Sequence, residues 1–285
     1  MPHGPTSHLE EMTMPSHNPA FSRGFPAAGN GQYASWGAGP QQTYGGAPTQ
    51  HDPYAAPSPY AAKSTTYLTM DDVVTKTGLT FLVTVLAAAA TWTLVPDAVA
   101  AGLLFPALIV GLVLGLFISF KQVANPAATL AYAAVEGVLV GAISEFYAEN
   151  FGGNLITQAV IGTFGVFFGM LVVYKTGAIR VTPKLTRWVV GALFGVLALV
   201  VVNLIAGFFV SGGLGLRDGG PVAIIFSLVV IGVAAFSLLL DFDMADEAIR
   251  RGAPAQFAWY IAFGLLVTVI WLYLEILRLL SYFRE

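Results

Sequence analysis

The sequence predicts an all-α membrane protein, a seven-transmembrane-helix bundle with a disordered N-terminal tail. Three observations carry that expectation. Hydrophobic residues make up 56% of the 285-residue chain and charged residues only 10%, against about 25% charge in soluble globular domains. The mean hydropathy is +0.73. Beyond Lys76, seven apolar segments follow one another, each near the roughly 20 residues that a bilayer core requires.

The rest of the composition excludes several function classes. A net charge of −3 gives no case for a nucleic-acid partner, so the expected surroundings are the lipid bilayer. The absence of cysteine removes disulfides, thiol redox chemistry and thiolate metal sites. All four histidines (His3, His8, His17 and His51) precede the apolar segments, leaving the membrane domain without imidazole. That argues against a Ser-His protease or a His-ligated metal there. No Ser-Lys pairing or two-aspartate protease motif is visible, so no catalytic residues, no enzyme activity and no cofactor are expected.

Taken in order, residues 1–66 form a Pro-, Gly-, Ala- and Tyr-rich stretch with almost no Leu, Ile or Val. Such a segment cannot bury enough apolar area to offset its ordering entropy, and it reads as a disordered cytoplasmic tail. No apolar run follows a basic start, so it is not a signal peptide. Residues 67–285 form the seven-helix domain, with spans expected at 78–95, 99–120, 127–147, 155–174, 188–211, 221–240 and 258–280. The breaks fall where charge or turn residues cluster, as at Pro96-Asp97, Lys121 to Pro126, Lys175 to Arg187 and Asp241 to Gln256.

The positive-inside rule sets the orientation. With the N-terminus in the cytoplasm, Lys63, Lys76, Lys121, Lys175, Arg180, Lys184, Arg187, Arg250 and Arg251 all fall inside, and Arg217, Arg278 and Arg284 outside. The C-terminus is then outside. Gly111-x3-Gly115, Gly137-x3-Gly141 and Gly165-x3-Gly169 match the small-xxx-small pattern that lets helices approach closely.

Ionisable groups at bilayer depth cost several kcal/mol by most estimates, so each demands a reason. The candidates are Glu136, Glu145, Asp241 or Asp243, and Glu275, with Lys121 and Arg278 as cationic partners. Asp241 and Asp243 are separated by roughly 200° around a helix and cannot share a face. Asp241 continues a line through the small residues Ala234 and Ser237, which suits a packed interior. Asp243 continues a bulky line through Phe236 and Leu239 that reads as lipid followed by water. Asp246–Arg250 and Glu247–Arg251 are i,i+4 pairs in the favourable order, expected on a helix that runs past the membrane surface and ends near Gly252 and Pro254.

Glu275 shares a mildly polar face with Gly264, Thr268 and Trp271, and Arg278, three residues on, is placed to neutralise it on the same helix. Glu136, beside Ala133 and Gly137, has no neutralising neighbour in sequence. Glu145 is expected at an interface, and Asn203 as interhelical glue. Carboxylates held close together cannot both ionise cheaply, and their oxygens suit a hard cation such as Ca²⁺. These residue types therefore permit a cation path gated by protonation.

The stretches LLLDFDMADEAIRR (238–251) and TVIWLYLEILRLLSYF (268–283) resemble the sixth and seventh helices of the transmembrane Bax inhibitor motif family, in its bacterial branch. The resemblance covers about residues 70–284. It implies a plasma (inner) membrane protein in which two acids form a pH-sensing pair around a closable pore, with calcium leak as the associated activity. Asp241 would take the sixth-helix acid and Glu275 the seventh-helix acid, jointly able to meet Ca²⁺ as the transported ion. Lys121 would take the basic latch at the end of the second helix; Glu136, unneutralised in the third span, is added from the residues themselves as a third acid on the path. Three departures stand out: Glu replaces the usual Asp in the seventh helix, Lys replaces Arg as the latch, and the Asp241-to-Glu275 connection is longer. The alternative is a non-conducting interaction protein that modulates a membrane protease or stress response, for which the long cytoplasmic tail could serve.

Overall fold

A computed structural model of the chain describes residues 66–210 and 213–284. The expected disordered tail over 1–66 lies, save for its last residue, outside the described residues. Within them are seven helices: α1 (Met70–Leu94), α2 (Asp97–Lys121), α3 (Pro126–Phe151), α4 (Asn154–Thr176), α5 (Pro183–Gly207), α6 (Pro221–Arg250) and α7 (Phe257–Tyr282). All seven are long and apolar enough to cross a membrane. The expected spans at 99–120, 127–147, 155–174, 221–240 and 258–280 lie within α2, α3, α4, α6 and α7; α1 stops one residue short of the expected 95, α5 stops at Gly207 instead of 211, and α6 continues beyond its span to Arg250.

Local chemistry sets the boundaries. Thr69 and Asp72 form a reciprocal capping box at the start of α1, each side chain accepting from the other's backbone N–H at 3.2 Å. Asn125 and Thr182 cap α3 and α5 ahead of prolines whose missing N–H costs nothing in the first turn. The turn after α6 needs Gly252, which adopts φ +67°.

Helix packing inside a bilayer draws on close contact, because lipid tails are as apolar as leucine. α7 is the central element, with α1, α3, α4 and α6 around it, while α2 leans on α3 and α5 packs principally on α6. The tightest crossing is α1 on α3. A Cβ at Gly137 would lie 2.5 Å from the Thr84 carbonyl oxygen, and one at Gly141 2.5 Å from that of Ala88. Gly111 and Gly115 make room on α2 for Glu136 and Tyr132, whereas Gly165 and Gly169 face open space. Two of the three small-residue pairs therefore serve packing within the bundle.

One further contact closes the fold. The Leu68 N–H donates to the Ala253 carbonyl and the Ala255 N–H to that of Thr66, both at 2.8 Å, forming a short antiparallel bridge. Lys76 Nζ adds a bond to the Ala255 carbonyl at 2.8 Å while pairing with Asp72 at 3.1 Å. The chain entering α1 is thus pinned to the turn between α6 and α7.

Candidate functional site

The seam between α6 and α7 is built from small residues, as the sequence pattern requires. Ala234, Ser237 and Leu238 are buried along α6, and Asp241 follows them on the same face, partly buried. Opposite it, Thr268 Oγ1 donates to Asp241 Oδ2 at 2.6 Å. Gly264, one turn earlier on α7, also lies against this carboxyl. Asp241 makes no ion pair among the described residues. A threonine hydroxyl both donates and accepts, so it can serve either protonation state of the acid.

Glu275 occupies a separate place. Its side chain is almost fully buried, Ser227 Oγ donates to Oε1 at 2.7 Å, and Arg278 Nη1 donates to Oε2 at 2.7 Å. Neutralisation on the same helix therefore prevails over a pairing with Asp241. The register explains this. α7 starts at Phe257, directly after the Gly252 turn, so its Gly264–Thr268 region meets Asp241 and its Glu275 meets Ser227. Thr268 and Glu275 lie seven residues apart, ~10 Å of helix axis at the α-helical rise. Among the described residues no hydrogen bond joins Asp241 to Glu275, the expected pair: the first is bonded to Thr268 and the second to Ser227 and Arg278. Lys121, the expected latch, is exposed at the end of α2 and makes no ion pair or hydrogen bond with a described residue.

The other candidates divide similarly. Glu136 sits in a cavity of about 300 Å³ between α2, α3 and α7, lined in part by Gly111, Tyr132 and Phe263. Tyr132, one turn earlier, lies against it and stacks edge-on with Phe263 at 4.8 Å. Because Phe263 and Gly264 are adjacent, Glu136 and Asp241 flank α7 at a similar level on different faces. Glu145, expected at an interface, is buried on α3. Its neighbour Ser144 bonds the Tyr273 hydroxyl at 2.7 Å. Asn203, expected as interhelical glue, makes no side-chain hydrogen bond to another helix among the described residues; its Oδ1 accepts from the Leu214 N–H at 2.9 Å and holds the α5–α6 loop.

The face assigned to Asp243 also needs correction. Leu239 is fully buried, and the Tyr174 hydroxyl of α4 lies 3.5 Å from Asp243 and 3.1 Å from Asp246. Phe236 is exposed, as a lipid-facing residue should be, so the expectation fails only from Leu239 onward, where Tyr174 of α4 meets the acids. Asp246–Arg250 and Glu247–Arg251 pair as expected, at 2.8 and 2.7 Å. Sequence reasoning did not assign Thr268, Ser227 or Arg217 to a site. Thr268 was visible on the polar face shared with Glu275, but nothing local showed that it would meet Asp241.

The chain matches a family described as Bax inhibitor 1 like over residues 18–285. The match starts well before residue 70 and so takes in much of the tail that the resemblance had left out. No curated protein matches the chain.

Proposed function

The chain belongs to the Bax inhibitor 1 like family and is a multi-pass membrane protein, and from that premise we propose that it is a pH-sensitive cation leak, for Ca²⁺ or protons, governed by Asp241. The observation that supports this reading is a carboxyl lodged in the α6–α7 seam with a threonine hydroxyl as its hydrogen-bond partner and no countercharge among the described residues. Burial of such a group is expensive in a membrane, and it is retained most readily where its charge is used. Ionised, Asp241 attracts a cation into the seam; protonated, it loses that attraction and the Thr268 contact holds the helices together. Glu136, on another face of α7 at a similar level, is the second acid of the proposed path. Glu275 has a supporting role, because Ser227 and Arg278 already engage its oxygens.

The proposed setting is a bacterial plasma membrane with the N-terminus in the cytoplasm and the C-terminus outside. The loops that carry most of the lysine and arginine then face the cytoplasm. The function needs neither a catalytic group nor a cofactor.

Calcium and proton fluxes into dye-loaded proteoliposomes test the proposal. Flux through the wild type is expected to fall on acidification, Asp241→Asn to give low flux at every pH, and Glu275→Gln to keep the wild-type pH response. Wild-type flux and pH response in Asp241→Asn would overturn the single-acid gate. A chain that passes no cation in any background is instead the membrane interaction protein, and deletion of residues 1–62 then identifies whether its partner is held by the tail.

A further inference from the structure

A second cavity, of about 300 Å³, lies at the end of the bundle where α3 and α7 terminate and α5 connects to α6. Its polar lining comprises Tyr147, Asn150, Arg217, Arg278, Ser281 and Tyr282. Arg278 uses one nitrogen of its guanidinium on Glu275 and makes no other hydrogen bond to a described side chain. Arg217 reaches the cavity from the α5–α6 loop and forms neither an ion pair nor a hydrogen bond with a described residue. Although Arg217 retains solvent contact, crowding by protein on its inner side, and next the charge of Arg278, push its guanidinium below its ordinary value. The Tyr282 hydroxyl is buried without a hydrogen-bond partner.

The electrostatics of this end are therefore unbalanced. Two guanidiniums, those of Arg217 and Arg278, and no carboxylate stand among the lining residues, and the carboxylate bonded to Arg278 is that of Glu275. Both oxygens of that carboxylate are occupied, by Ser227 and by Arg278. Guanidinium forks match the oxygens of phosphate in geometry and charge, and an unpartnered buried hydroxyl supplies a further donor. We propose that this cavity is a binding site for phosphate, in which Arg217 and Arg278 donate to its oxygens and the Tyr282 hydroxyl completes the set. Two sources offer that chemistry: the phosphodiester of an anionic lipid headgroup and free inorganic phosphate. The site stands on this geometry alone and does not depend on whether the chain conducts.

The full chain in a maltoside detergent, which carries no phosphate, provides the test. Titration with inorganic phosphate is expected to raise the thermal midpoint saturably, and separate incubation with phosphatidylglycerol to leave lipid bound in native mass spectra. Arg217→Gln is expected to weaken whichever of these occurs by roughly tenfold or more, as for a lost hydrogen bond between charged groups. Tyr282→Phe, which removes only a hydroxyl, is expected to weaken it less and serves as the second variant should Arg217→Gln fail to fold. Arg217-dependent phosphate binding identifies a free-oxyanion site, and Arg217-dependent retention of phosphatidylglycerol alone identifies a headgroup site. The proposal is overturned if the wild type binds neither, or if both variants bind as the wild type does.

Discussion

Replacing Arg278 with alanine is expected to destabilise the bundle by about 3 kcal/mol, at the low end of the range for breaking a buried ion pair. Glu275 is only 2% exposed, and among the described residues Arg278 supplies the one opposite charge bonded to it, at 2.7 Å. With Arg278 gone, Ser227 still donates to one oxygen, but the carboxylate is left charged and otherwise unanswered between α6 and α7. Arg278 keeps 23% of its side-chain surface exposed, so water relieves part of the penalty and the upper end of the range is not expected. Equilibrium unfolding in mixed micelles measures the loss. The double variant Glu275→Gln/Arg278→Gln is expected to return to within about 1 kcal/mol of the wild type, because the desolvation cost of both ions disappears together with their attraction. An Arg278→Ala protein as stable as the wild type would show that the pair contributes nothing.

A comparable loss is expected on α3. Gly137→Ala and Gly141→Ala should each cost about 2 kcal/mol, within the range for forcing extra atoms into a packed interface. At Gly137 the added carbon meets the Thr84 carbonyl oxygen at 2.5 Å and Ala87 Cβ at 2.6 Å; at Gly141 it meets the Ala88 carbonyl oxygen at 2.5 Å. These obstacles are mostly backbone, which cannot swing aside as a side chain can, so α1 must move bodily. Gly165→Ala and Gly169→Ala provide the contrast, because nothing lies within 4 Å of either new carbon. Those two should be neutral or slightly stabilising, since alanine loses less backbone entropy than glycine in a helix. Thermal midpoints of the four variants in one detergent settle the comparison, and equal losses at all four would discard the packing argument.

The seven spans were legible because the signal is local: a run of apolar residues of bilayer length announces itself wherever it falls. The same holds for Glu275 and Arg278, three residues apart and thus neighbours on one helix turn. What decides Asp241 is not local. Its partner depends on the register of α6 against α7, which is set by the Gly252 turn and the first residue of α7, and a shift of two turns would have brought Glu275 near it. Glycine spacing failed for a related reason. Gly137-x3-Gly141 and Gly165-x3-Gly169 have the same pattern, yet only the first has a helix against it, because the pattern permits a contact without naming the partner. Leu239 and Glu145 were misplaced for want of the same information: which helix lies alongside α6 and which encloses α3.

The short bridge between residues 66–68 and 253–255 also bears on how the chain is made. Lys76 and Ala255, the partners that reinforce it, stand 179 residues apart in sequence. At the usual pace of synthesis, roughly 5–20 residues per second, the start of α1 waits roughly 10–40 s before the other half of the bridge exists. During that interval α1 to α5 have already been produced, and α1 and α3 can dock through their glycines. Completion of the bridge is therefore a late event of biogenesis, reached only once α6 has been made and its closing turn has returned to the residues that began the bundle.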